Sequence, residues 1–221
     1  MRILSCLAAP LLAIASIAAG PQSPSNRKLL LDPAAPEFRE PAPERALVRF
    51  ETSKGPLVIE VLREWAPGGA DRFVNLAKYG YYDDARFFRV RPATWVQFGI
   101  AGDPAVARAW RIATFPDDPF RQSNVRGTVA FAFAVPNGRT TQVFINLRDN
   151  SASHDGEPFV PFGRVVEGMA AADAFNAEYR EGLGGIRAGR QDAGFAEGNA
   201  FFRREYPRLD YIIRSSVKPS R

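Results

Sequence analysis

Phe87-Phe88-Arg89-Val90-Arg91-Pro92-Ala93-Thr94-Trp95-Val96-Gln97-Phe98-Gly99-Ile100-Ala101-Gly102-Asp103-Pro104 reads as two apolar strands, Phe87–Arg91 and Trp95–Ile100, about a turn at Pro92. Arg89 sits in the first strand and Gln97 in the second. Thr128-Val129-Ala130-Phe131-Ala132 and Thr141-Gln142-Val143-Phe144-Ile145 repeat the pattern downstream, apolar runs broken by single polar side chains. An arginine and two glutamines on core-like strands need partners, because a buried polar group left unpaired costs about 1–3 kcal/mol. The plainer alternative is an exposed strand arginine and glutamines that cap loops.

Working outward, Ala46, Val48 and Phe50 alternate with polar neighbours, and Leu57, Ile59 and Val61 do so after a turn at Lys54-Gly55. Two such runs predict a β-hairpin. Pro67 opens a helix carrying Ala70, Phe73, Val74 and Ala77 on one face, and Gly80 is placed to end it. Further strands are expected at Thr128–Ala134, Gln142–Asn146, Phe162–Val166 and Leu209–Arg214, with a second amphipathic helix at Glu167–Asn176. The Gly-rich connection Glu178–Glu197 reads as a surface excursion. Seven or eight short strands with two helices predict a mainly β domain, a closed barrel or sandwich covered at its ends.

The chain has 221 residues, 46% hydrophobic and 24% charged, so it can bury one ordinary core and is not a disordered polymer. The net charge of +5 is spread along the chain as arginine with no dense basic run, which argues against nucleic-acid binding. One His, His154, and one Cys, Cys6, exclude most metal cages, disulfide scaffolds and Cys–His nucleophiles. No metal or cofactor is expected. Gly184–Gly189 is followed by Arg190-Gln191 where a phosphate loop needs Lys-Ser/Thr, and no nucleophile elbow exists. His154, beside Asp155-Gly156, reads as a solvated turn residue, and the Asp83-Asp84 and Asp117-Asp118 pairs as carboxylates splayed across loops.

Met1-Arg2 followed by the apolar, Ala-rich run Ile3–Ala19 fits a signal peptide over residues 1–18, cut after Ala18. A membrane anchor competes, but the run is short, is interrupted by Pro10, and lacks a charged cluster behind it. Export, to a bacterial periplasm, is the expectation. Six prolines between Gly20 and Arg45 make residues 19–45 an extended linker. The domain is expected over 46–216, with a polar tail at 217–221.

From about Ala46 to Ile213 the chain resembles the cyclophilin family of peptidyl-prolyl isomerases. The likeness is carried by Pro67…Phe73…Leu76…Gly80-Tyr81-Tyr82, the Phe88-Arg89-Val90…Gln97-Phe98-Gly99 segment, Thr141-Gln142-Val143-Phe144-Ile145, and Pro161-Phe162-Gly163-Arg164-Val165-Val166-Glu167-Gly168-Met169. The resemblance implies an eight-stranded closed antiparallel β-barrel capped by two α-helices. By position it gives Arg89 as the catalytic residue, Gln97 and Gln142 as polar groups holding substrate backbone, and Ala132 as a backbone contact. Phe144 becomes the floor of a proline pocket, with Phe159 and Trp95 lining it. Thr94 stands where the family usually has a pocket phenylalanine, Trp95 where Met, Leu or Val is common, and Phe159 where many members carry histidine. Ser153 falls near the position of a tryptophan that favours cyclosporin binding, so that drug is expected to bind weakly.

The implied activity is prolyl cis–trans isomerisation, in which a guanidinium stabilises the prolyl nitrogen as the amide twists. The partners are then proline-containing polypeptides, with no nucleic acid, no membrane after signal cleavage, and a monomeric state. Two other functions compete: a catalytically weak cyclophilin-like module that only binds proline-containing segments, and a structural or chaperone-like envelope protein. The joint presence of Arg89, Gln97, Gln142 and Phe144 favours the enzyme.

Overall fold

The computed structural model describes residues 24–187 and 190–219. The signal peptide expected over residues 1–18 lies outside them. The chain runs α1 (Pro24–Leu30), β1 (Arg45–Thr52), β2 (Gly55–Leu62), α2 (Pro67–Lys78), β3 (Arg89–Arg91), β4 (Trp95–Phe98), α3 (Pro104–Arg111), β5 (Thr128–Phe131) and β6 (Val143–Asn146). It continues through α4 (Ser151–His154), β7 (Pro161–Glu167), α5 (Met169–Asp173), α6 (Asp192–Glu197), α7 (Asn199–Glu205) and β8 (Ile212–Pro219). Single 3-10 turns occur at Pro36–Arg39 and Glu181–Leu183. No helix among the described residues is long and apolar enough to cross a membrane.

The eight strands form one antiparallel sheet in the order β3-β4-β6-β5-β7-β2-β1-β8, curled into a half-barrel. The expected closure does not occur as a strand ladder. β3 and β8 are edges, joined through the isolated bridge Arg86↔Tyr211 and the bonds Phe87 N–H to Asp210 O (2.9 Å) and Ile212 N–H to Ala85 O (3.0 Å). Asp84 turns at a left-handed φ of 59°, and between it and the three-residue β3 the chain meets the other edge only through this short contact.

The β1–β2 hairpin forms as the alternation predicts, with Ala46, Val48 and Phe50 buried and Gly55 at φ 109° in the turn. α2 lies inside the curl. Its apolar face, Ala70, Phe73, Val74 and Ala77, is buried, and the Phe73 ring packs against Phe50, Tyr82 and Phe162 at centroid distances of 6.0, 5.3 and 4.8 Å. Its first turn lacks a capping residue of its own. Asp118 supplies one, its carboxylate accepting from the Gly68 and Gly69 N–H groups at 2.8 and 2.9 Å. Asp117 and Asp118 therefore converge, contrary to the splayed reading, since both also pair with the fully buried Arg139 at 3.0 and 3.1 Å.

The helical periphery among the described residues is larger than the two helices expected. The second predicted helix shortens to α5, and α3, unforeseen, starts at an Asp103-Pro104 boundary where the Asp103 carboxylate accepts from Ala105 N–H at 2.8 Å. The described part of the expected linker, residues 24–45, is partly helical and packs on the domain. Leu30 and Phe38 are buried, Phe38 meets the Trp110 ring edge-on at 4.7 Å, and the Trp110 indole donates to Leu30 O at 2.8 Å. Residues 217–219 of the expected tail extend β8, paired with β1 at Val48↔Val217.

Candidate active site

The sheet uses both faces between β4, β6 and β5. Val96, Phe98, Val129, Phe131, Val143 and Ile145 point into the main core. The alternate positions, Trp95, Gln97, Ala130, Ala132, Gln142 and Phe144, emerge on the opposite face, where Trp95, Ala130 and Phe144 form a separate apolar cluster with Ala132 and Phe159 against it. The two-residue period that builds the core thus builds the site on its back. Arg89, Trp95, Gln97, Ala132, Gln142, Phe144 and Phe159 all line one cavity of about 530 Å³.

Its polar half is a directional relay. β3–β4 register puts Arg89 opposite Gln97, and β4–β6 register puts Gln97 opposite Phe144, two residues beyond Gln142. Arg89 Nη1 donates to Gln97 Oε1 at 2.9 Å, Gln97 Nε2 to Gln142 Oε1 at 2.7 Å, and Gln142 Nε2 to Gln191 Oε1 at 2.8 Å. A guanidinium has donors and no acceptor, so it fixes the orientation of each amide in turn. Gln142 therefore presents its NH2 group outward. The strand glutamines have the partners that their burial demands. The Arg89 guanidinium also lies 4.4 Å over the Trp95 ring, a cation–π contact.

The apolar half is a cradle of rings. Phe144 and Phe159 meet edge-to-face at 5.3 Å and 88°, and Phe133 closes on Phe159 at 4.6 Å. His154, read as a solvated turn residue, instead stands at this rim, 5.6 Å from Phe144 and 4.8 Å from Phe159. Burial among these rings lowers its pKa from the usual histidine value, against a weaker opposing pull from Asp155. Its neutral form is therefore favoured where it faces the cavity.

A buried asparagine network holds this rim in place. Asn150 donates to Asn146 Oδ1 (2.7 Å) and to Thr94 O (2.8 Å), while Asn124 donates to Phe159 O (2.8 Å) and Asp155 (2.9 Å). The polypeptide before Trp95 and the one bearing Phe159 are thereby tied to one strand end. Thr94 acts through its backbone and does not line the cavity. On the other side, the Tyr81 hydroxyl lies 3.0 Å from the Thr141 hydroxyl, which donates to Gly99 O at 2.8 Å. This fixes the residue next to Gln142 and explains Gly99: at φ 110°, a Cβ there would lie 2.4 Å from Thr141 O.

Sequence reasoning missed the second wall. Arg111, at the end of α3, pairs with Asp192 and lies 4.8 Å over the Phe195 ring, and all three line the cavity with Gln191. Residues 191–195 of the expected excursion therefore lie against the site, and Glu181 pairs with Arg89. No sequence motif marks these residues; only the mixed character of Gln191-Asp192-Ala193-Gly194-Phe195, polar then apolar, hints at a helix that covers something.

The chain that carries this site has known relatives. A family model described as cyclophilin type peptidyl-prolyl cis-trans isomerase/CLD matches residues 47–187, more than half of the chain. The chain belongs to the cyclophilin-type peptidyl-prolyl cis-trans isomerase family and is an isomerase. Peptidyl-prolyl cis-trans isomerase ppi1 of Schizosaccharomyces pombe is 35% identical over 131 residues, covering 57% of this chain and 81% of its own. Peptidyl-prolyl cis-trans isomerase B of Escherichia coli is 27% identical over 176 residues, covering 76% and 97%. Of the longer peptidyl-prolyl cis-trans isomerase-like 2 of Neurospora crassa, the chain spans 21%. A cyclophilin type isomerase of Cryptosporidium parvum, crystallised in the presence of the dipeptide Ala-Pro, shares the fold with a TM-score of 0.56 at 20% identity, over 79% of this chain and 99% of that one.

Proposed function

We propose that the chain accelerates rotation about X–Pro bonds, with Arg89 donating a hydrogen bond to the prolyl nitrogen as it twists out of the amide plane. The carrying observation is the Arg89 guanidinium held by Trp95 and Gln97 beside the apolar Phe144–Phe159 cradle. The uncatalysed barrier is about 18–20 kcal/mol and reflects amide resonance. As the bond rotates, the nitrogen lone pair leaves the π system and becomes a hydrogen-bond acceptor. A donor fixed beside it is worth more in the twisted state than in either planar one, which is the condition for rate acceleration.

The pyrrolidine ring enters against Phe144 and Phe159, and the outward NH2 of Gln142 holds a carbonyl of the flanking backbone. Proline-containing polypeptides are the substrates in this reading, acted on as they fold. The reaction on this path needs no nucleophile and no proton transfer. The apolar run Ile3–Ala19 supports an exported site of action, which an intact-mass measurement of the mature protein tests through loss of residues 1–18. Turnover is tested by a cis-to-trans assay on short X–Pro peptides, with Arg89→Ala as the variant expected to fold and to lose most of the activity.

A further inference from the structure

We propose that Glu181 is a positioning residue for Arg89, supplied by the 178–197 excursion to hold the guanidinium in its donating orientation. The inference rests on the isomerase reading above and deepens it. Glu181 lies 92 residues beyond Arg89 and accepts from its Nε. Arg89 is thereby fixed on three sides: Nε by Glu181, Nη1 by Gln97 at 2.9 Å, and its flat face by Trp95 at 4.4 Å. The contact does not compete with substrate. It takes the Nε hydrogen and leaves both hydrogens of Nη2, and the second of Nη1, for a group entering the cavity.

The excursion is built to deliver this carboxylate. Leu183 and Gly185 N–H both bond to Arg180 O, at 2.8 and 3.0 Å, curling the chain tightly around Glu181, with Gly184 at φ 88°. Gly185 passes so close to Tyr179 that a Cβ would lie 2.0 Å from its carbonyl oxygen, so the turn admits no side chain there. Its base is fastened by the Glu178–Arg208 ion pair and by Tyr179 packed on Tyr206 at 5.2 Å. Gln191, at the far side of the same excursion, terminates the relay at Gln142. Glu181 and Gln191 thus secure the two ends of the Arg89–Gln97–Gln142 chain. An arginine has several rotatable bonds, and the Arg89 side chain is 20% exposed. Without the carboxylate the guanidinium samples orientations that do not face the twisting nitrogen.

The test compares parent, Glu181→Ala, Glu181→Gln and Arg89→Ala in the full chain. Misplacement of a catalytic group costs up to about 100-fold. Because Gln97 and Trp95 still hold Arg89, Glu181→Ala is expected to lower kcat by about tenfold, with peptide Kd changed by less than about twofold. Glu181→Gln keeps an acceptor and is expected to recover most of the turnover, which a merely structural role would not require. A second readout is independent of activity. In a ¹⁵N–¹H correlation of arginine side chains, the Arg89 Nε–H signal, assigned by its loss in Arg89→Ala, is expected to be exchange-protected in the parent and the Gln variant and averaged in the Ala variant. Unchanged kcat in Glu181→Ala overturns the proposal, as does a rise in turnover, which makes the excursion a latch, or an unaltered Nε–H signal. A folded parent without turnover removes the isomerase reading and with it the catalytic role of Glu181, whereas the Nε–H signal still reads the contact itself.

Discussion

Replacing Gln97 by Glu reverses the polarity of the relay while leaving its shape intact. Gln97 accepts from Arg89 at 2.9 Å and donates to Gln142 at 2.7 Å. A carboxylate keeps the first bond and strengthens it by charge, but has no proton for the second. Gln142 must then rotate its amide so that Nε2 faces residue 97, which turns Oε1 toward the cavity. The group offered to a substrate carbonyl changes from donor to acceptor. Losing that hydrogen bond and leaving the carbonyl facing an oxygen costs about 1–3 kcal/mol, the range for a bond replaced by an unsatisfied polar group. At about 1.4 kcal/mol per decade, affinity for an X–Pro peptide is expected to fall about 5–150-fold. NMR titration of labelled protein with the peptide gives the Kd, and thermal unfolding is expected to move by no more than a few degrees. Gln97→Leu, which removes the polarity without reversing it, is expected to fall between parent and Glu. A Gln97→Glu variant that binds within about twofold of the parent refutes the argument, because either Gln142 does not grip the substrate or Arg89 does not set the direction.

Three further outcomes follow from the same geometry. Arg139→Ala leaves Asp117 and Asp118 without their buried cation, and the expected loss is about 3–5 kcal/mol. At about 2–4 °C per kcal/mol for a chain this size, Tm drops by about 10 °C; a drop under about 3 °C contradicts the structural role. His154 has a folded pKa below its unfolded value of about 6.5, so its contribution is complete above that pH and is lost as pH falls, when the unfolded chain takes up the proton first. His154→Asn is expected to flatten that part of the Tm–pH curve below about pH 6.5, and an unchanged curve places the imidazole in water. Leu30→Ala tests whether the proline-rich segment is part of the domain: burial predicts a loss of about 2–5 kcal/mol by denaturant unfolding, a free linker none.

How much was legible in the sequence depended on whether a residue's neighbours lie on adjacent strands. Alternation in β1 and β2 gave the hairpin and its buried positions, and the i, i+3, i+4, i+7 spacing after Pro67 gave α2. Arg89, Gln97 and Gln142 were legible because polar side chains on apolar strands demand partners, and the register supplies them from one another. Barrel closure was not legible, because the two edge strands meet only through the isolated bridge Arg86↔Tyr211 and its neighbouring bonds, which leave no periodicity in the sequence. The helix α3 was not legible from Asp103-Pro104 alone; it is held by the Asp103 cap and by the Trp110 indole bonded to Leu30 O. Glu181, Gln191 and Phe195 were hidden for a different reason. They reach the site through a Gly-rich connection whose composition suggests solvent, and a contact spanning 92 residues leaves no local periodicity. His154 was misread because its own turn is polar, while the rings that bury it come from β6 and from Phe159.

The most direct test of the central claim is the rate of cis-to-trans isomerisation of a short X–Pro peptide, measured with the parent and with Arg89→Ala at matched folded concentration. Acceleration by the parent, reduced by at least about 100-fold in the variant while peptide binding persists, is the predicted result. Equal turnover by the two proteins contradicts the assignment of Arg89 as the donor to the twisted nitrogen.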